Sequence, residues 1–336
     1  MLAKQPRPRT IFWTAIRLAF GIAILLYLWK SGAIHFRDFD KLLTQWPLSA
    51  VAVAVLFLDL YLMALRTRLL LRPQELHLPM ATAVRLTLVS SWFALFSPGA
   101  AGGDIAKIFY ATRQASGRRT EIAVVLLLDR AIGLFSLFLI PILLTPVFLS
   151  ALQNAPQLRQ LLAATSIIAV ITLLVFIFAV FNDPIRDRLV RRNARPESTQ
   201  GWLLRALTTL SSYRNHTGTL LLSLFIAIVD NALVIVVAAL ALLILDPALL
   251  SAKLALVVPL GTIANSLPLT PGGLGIGEVA FNKVFALAGL SLGAEALVCS
   301  RIWRAIVALP GLFIYLRGVG SIRLSGTGAA DTPNDA

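Results

Sequence analysis

Residues 270–278 read TPGGLGIGE, with four glycines, a proline and a carboxylate inside an otherwise apolar region. Glycine and proline both weaken helices, and a buried carboxylate is costly without a partner. Residues 97–107, SPGAAGGDIAK, have nearly the same opening. Pro98 aligns with Pro271, 173 residues later, and each follows a hydroxyl residue, Ser97 or Thr270. Gly99 then matches Gly272 and Gly102 matches Gly275, with Gly103 and Gly273 beside them. An acid follows each motif, Asp104 in the first and Glu278 in the second. Broken helix at membrane depth is tolerated only inside protein or beside a wet cavity, so these two breaks decide the architecture.

The surrounding composition is that of an integral membrane protein. Of 336 residues, 58% are apolar and 14% charged, and the mean hydropathy is +0.82. A soluble domain averages about 25% charged residues. The net charge of +14 would suggest nucleic acid in a soluble protein. Here the positive-inside rule explains it, and no nucleic-acid partner is expected. The single cysteine, Cys299, excludes an intrachain disulfide, and His35, His77 and His216 are too scattered to form a metal-ligand set. No P-loop pattern is present, which argues against direct ATP use. No metal and no cofactor are expected.

A helix needs about 20 apolar residues to cross a bilayer. Full spans are expected near 11–29, 47–66, 122–148, 160–181, 218–245 and 296–317. The first follows the basic start MLAKQPRPR and has no small-x-small cleavage pattern after it, so it reads as an uncleaved span. Two further apolar stretches, 82–118 and 252–292, are interrupted by the Gly/Pro motifs and read as re-entrant hairpins. With the N-terminus in the cytoplasm and both hairpins returning to the side they left, the cytoplasmic segments hold 20 Lys/Arg and the outer ones 5. That excess fits the positive-inside rule with both termini cytoplasmic. The expected fold is an all-α polytopic membrane domain over 1–324, with a basic cytoplasmic loop at 182–217 and a disordered tail at 325–336.

Three full spans separate the motifs, so the second hairpin enters from the face opposite the first. Two interrupted segments at matching places in two halves point to an inverted repeat with its site near the midplane. The helix restarting after each motif presents free N–H groups, which favour an anion such as a lipid phosphate. Asp104 and Glu278 either contribute to such a site or cap their own helices. Asp104 and Lys107, three apart, share a face and either satisfy each other or meet both charges of a zwitterionic headgroup.

Ionisable residues inside spans are functional candidates by default. Asp59 lies seven residues before Arg66, on the same helical face. Asp129 and Arg130 lie about two turns into the third full span, and Arg130 either snorkels to the headgroups or pairs with a core acid. Asp230 is too short to snorkel and needs a partner or a wet cavity. Arg301 and Arg304 share a face of the last span and are placed to neutralise Asp230 or Glu278 or to bind phosphate. For all of these the alternative is a buried structural ion pair.

The stretches SPGAAGGDIAKIFY, LLLDRAIGLFSL, LPLTPGGLGIGEVAF and RIWRAIVALPGLF resemble the flippase-like transmembrane family named after lysylphosphatidylglycerol synthase. The resemblance covers roughly 10–320. It implies translocation of lipid headgroups across the bacterial cytoplasmic membrane, with a phospholipid or a polyprenyl- or hopanoid-type lipid as partner. In bifunctional members a fused soluble domain makes the aminoacyl lipid. No such stretch is in this sequence, and synthase activity is not expected to carry over. Ala100 and Ala101 stand where relatives often carry a basic residue, so headgroup preference does not carry over either. The expected headgroup slot comprises Pro98, Gly99, Gly102, Gly103, Asp104, Lys107, Arg130, Asp230, Pro271, Gly272, Gly273, Gly275, Glu278, Arg301 and Arg304. The competing functions are a membrane-embedded lipid or glycan transferase, and a non-catalytic partner of an envelope glycosyltransferase.

Overall fold

The computed structural model describes residues 40–96, 101–113, 118–153, 155–181, 199–267, 270, 273–317 and 325–326. Five helical segments are long and apolar enough to cross a membrane: Trp46–Gln74, Arg119–Phe148, Pro156–Phe178, Arg205–Leu245 and Gly293–Leu316. The protein is an all-α, multi-pass membrane protein. The expected span at 11–29 lies outside the described residues, as do Pro98, Gly99, Pro271 and Gly272.

In chain order the helices are α1 (Asp40–Thr44), α2 (Trp46–Leu71), α3 (Met80–Phe96), α4 (Ala101–Arg113), α5 (Arg119–Leu144), α6 (Leu149–Gln153), α7 (Pro156–Phe181), α8 (Thr199–Ser212), α9 (Thr217–Leu245), α10 (Leu254–Asn265), α11 (Ile276–Leu287) and α12 (Gly293–Leu316). The stretch expected as a basic loop at 182–217 is helical from Thr199 to Ser212, with apolar and polar residues on opposite faces; residues 182–198 lie outside the description. Ser325–Gly326, at the start of the segment read as a tail, pairs antiparallel with Leu76–His77. Residues 327–336 lie outside the description.

Both interrupted stretches are hairpins of short helices. Helices α10 and α11 have 12 residues each, about 18 Å at 1.5 Å per residue. That is well short of a bilayer core of about 30 Å. The two arms of the second hairpin lie side by side. A Cβ on Gly261 would meet the Phe281 ring, ten residues either side of the turn, and one on Gly277 would meet the Asn265 side chain, six either side. In the first hairpin, Ser90 Oγ donates to Gly103 O at 2.8 Å, tying α3 to α4 close to its turn.

Helix contacts repeat between the halves. Helices α2 and α9 pack on each other at the centre. Helix α2 touches α3, α5 and α12, and α9 touches α10, α12 and α5. The first hairpin rests on α12 through α3 and on α5 through α4. The second rests on α5 through α10 and on α12 through α11. Exchanging α2, α3, α4 and α5 for α9, α10, α11 and α12 therefore leaves the contacts among these eight helices unchanged. Three of the long helices lie between the hairpins, so hairpins that return to the face they left enter from opposite faces.

In lipid, apolar burial does not drive helices together; close packing of small residues does. Ala52 and Ala64 of α2, Ala238 and Ala241 of α9, and Ala294 and Ala296 of α12 are buried. Helix α7 packs on α5 and α8. Its flank from Ile167 to Phe178 is studded with exposed Ile, Leu, Val and Phe side chains, the composition of a surface turned to acyl chains.

Candidate functional site

The turn of the second hairpin forms first from its backbone. Gly273 (φ 71°) and Gly275 (φ 81°) are left-handed, a conformation that costs glycine little and other residues more. This tight turn starts α11 with Gly275 at its N-cap. Glu278 then reaches back, and Gly275 N–H donates to its Oε2 at 2.7 Å. The carboxylate thus fills the helix start that the sequence offered to an external anion. Its other oxygen, Oε1, accepts from Arg301 Nη1 at 2.6 Å. Arg301 Nη2 also donates to Asn265 Oδ1 (2.7 Å) and to Gly273 O (2.9 Å). One guanidinium on α12 therefore binds both arms of the hairpin and its turn. Of the two arginines placed to meet Glu278, Arg301 does so. Glu278 is fully buried and the Arg301 side chain is 17% exposed.

The first hairpin carries the corresponding pair. Asp104, in the first turn of α4, lies 3.3 Å from Arg130 Nε on α5. Asp104 precedes Glu278 by 174 residues and Arg130 precedes Arg301 by 171, so this is the same ion pair in the other half. Arg130 thus meets a core acid. Asp104 and Lys107 do not satisfy each other. Lys107 turns inward to Asp129 Oδ2 (3.2 Å) and Thr67 Oγ1 (2.6 Å).

Beneath the first hairpin lies a buried network. Asp129 Oδ1 accepts from Arg66 Nε at 2.5 Å, and Oδ2 accepts from Thr67 Oγ1 at 2.8 Å. Arg66 Nη1 lies 3.6 Å from Asp230 Oδ2. The Arg66 guanidinium lies flat on Gly133, where a Cβ would come within 3.1 Å of Nη2. Asn231 Nδ2 bonds Ser136 Oγ at 2.6 Å and Ala227 O at 3.0 Å, fixing α9 to α5. Breaking one partner of a buried pair costs about 3–5 kcal/mol, so these contacts hold the bundle as well as polarising it.

Between the two hairpins opens a cavity of about 390 Å³. Of the residues expected at the site, Gly103, Asp104, Lys107, Arg130, Asp230, Arg301 and Arg304 line it. Gly102, Gly273, Gly275 and Glu278 are not among its lining residues; Glu278 and Gly273 bind Arg301, which is. Asp59, Arg66, Asp129 and Asn265 also line it but stood outside the expected slot. The spacing of Asp59 and Arg66 on one helical face was the signal for the first two. Asn265, six residues before Pro271, carried none. Arg66, Lys107, Arg130 and Arg301 each have an acid partner. Arg304 is exposed and makes no ion pair or hydrogen bond with any described residue. Among the described residues, no group of three or more His, Cys, Asp or Glu side chains is arranged to hold a metal ion.

Comparison with known proteins adds one match. Residues 14–314 match the model of the family described as Lysylphosphatidylglycerol synthase TM region. No curated protein and no solved structure matches the chain.

Proposed function

The chain belongs to the family of the lysylphosphatidylglycerol synthase TM region, and from that premise we propose that it is a lipid translocase. A phosphate-bearing headgroup crosses the bacterial cytoplasmic membrane through the cavity between the hairpins, while the acyl or polyprenyl tails stay in lipid. The observation that carries this reading is the cavity's charge pattern. Four lining cations are occupied by acids, and Arg304 remains open toward the space. An exposed guanidinium at membrane depth, able to bind a phosphate in bidentate fashion, suits an anionic visitor. Asp104 and Arg130, each about 30% exposed, are placed to exchange their mutual contact for the charges of a passing headgroup. Both termini are assigned to the cytoplasm from the distribution of basic residues.

The test is transfer by the purified protein in proteoliposomes, using phospholipid, aminoacylated phospholipid and polyprenyl phosphate with labelled headgroups. Labelled headgroups should become accessible at the opposite leaflet faster than in protein-free vesicles. No transfer across the whole panel contradicts the proposal. Covalent product with an added donor would replace it with a transferase. Silence in both assays with co-purification of a glycosyltransferase would replace it with a partner role.

A further inference from the structure

The central crossing of α2 and α9 holds a feature that the headgroup path does not use. Asp59 on α2 and Asp230 on α9 occupy matching places in the two halves, 171 residues apart, the same offset as Arg130 and Arg301. Both are more than nine-tenths buried, and both line the cavity. Helices α2 and α9 pack on each other, and the two carboxyls interact across that crossing. Asp230 Oδ1 is buried without a hydrogen-bond partner, and so is Arg66 Nη1.

Nearby charges do not neutralise the two acids. Helix α2 supplies Arg66, but its Nε is committed to Asp129, and Nη1 stands 3.6 Å from Asp230. Helix α5 supplies Asp129, which takes Lys107 as well. Helix α10 has no charged residue. On α12, Arg301 is held by Glu278 and Arg304 is exposed. Lys41 and Asp246 lie at the far end of α9, where Lys41 Nζ bonds Leu245 O. The buried centre therefore sets three acids, Asp59, Asp129 and Asp230, against two cations, Arg66 and Lys107. Two interacting carboxylates removed from water repel one another when both are charged. A single proton between them removes the excess charge and gives the orphaned Oδ1 its bond.

We propose that Asp59 and Asp230 form a proton-binding site at the crossing of the two halves, and that headgroup transfer through the adjoining cavity is coupled to it. The coupling clause rests on the translocase reading; the proton site does not. One O–H bond forms on the pair when water on one side gives up a proton. The same bond breaks when the halves rock and the proton passes to water on the other side. A pair contributed by both halves is placed to feel that motion, because separating α2 from α9 strips each carboxyl of its partner.

The experiment uses the full chain reconstituted in vesicles of neutral and anionic phospholipid at neutral pH. Infrared spectroscopy reads the carbonyl stretch of a protonated carboxyl, identified by its shift in heavy water. The band should be present in the wild type and lost in both Asp59→Asn and Asp230→Asn, with Asp104→Asn retaining it as the control. Absence of the band in the wild type, or its persistence in both variants, overturns the proton site. A second readout is the steady-state distribution of a headgroup-labelled phospholipid between leaflets. With one proton per headgroup, a gradient of one pH unit should move it about tenfold. Transfer that ignores the gradient overturns the coupling and leaves the translocase reading intact. A band that behaves as expected without any lipid transfer supports the site and overturns that reading instead.

Discussion

The two hairpins repeat one design with opposite degrees of closure. In the second, Arg301 grips Glu278, Asn265 and Gly273 together, and the carboxylate is fully buried. In the first, Asp104 and Arg130 stand 3.3 Å apart and about 30% exposed. We therefore read the second hairpin as a fixed wall and the first as the adaptable one. A like pair of charges stabilises structure where water is excluded and stays available for exchange where water enters.

The largest expected effect breaks the fixed wall. Arg301→Ala strands the Glu278 carboxylate and should lower stability by about 3–5 kcal/mol, read as a large fall in thermal unfolding temperature in detergent. Next, Gly277→Ala places a Cβ 2.6 Å from Arg301 Nη2. It should cost about 1–3 kcal/mol as the clamp is pushed aside, giving a smaller shift in the same direction. Arg130→Ala removes the matching arginine of the other half, yet its partly exposed pair should contribute no more than about 1 kcal/mol to stability. Equal destabilisation by Arg301→Ala and Arg130→Ala would erase the distinction between the hairpins. Smallest in stability is Arg304→Gln, expected within about 0.5 kcal/mol of wild type. Its effect belongs to function: transfer of phosphate-bearing lipids should fall about tenfold or more, the loss expected for a hydrogen bond to a charged group.

Much of this arrangement was legible in the sequence because helix breakers in an apolar run have few explanations. TPGGLGIGE and SPGAAGGDIAK marked both hairpins, and the spacing of the acids marked Asp104 and Glu278. The partners of those acids were harder to read. Arg301 and Arg304 sit three apart on one face, and periodicity alone does not say which is under the hairpin. The turn decides it, since Gly273 O and Asn265 Oδ1 converge on the Arg301 position. Lys107 shows the same limit: spacing puts it on one face with Asp104, whereas packing of α4 on α5 carries its amine inward to Asp129. The Asp59–Asp230 contact depends on how α2 crosses α9, which only the tertiary structure supplies. Thr199–Ser212 reads as polar loop by charge but folds as a two-faced helix packed on α5 and α7.

The central claim is that a lipid headgroup enters the space between the hairpins, and the most direct measurement is where a headgroup goes. A phospholipid carrying a photoactivatable group on its headgroup would be irradiated with the reconstituted protein and the adducts mapped by peptide mass. The account predicts adducts on the cavity faces of α3, α4 and α12, around Ser91, Asp104 and Arg304, reduced by Arg304→Gln. Adducts confined to the outer flank of α7, unchanged by that substitution, would contradict it.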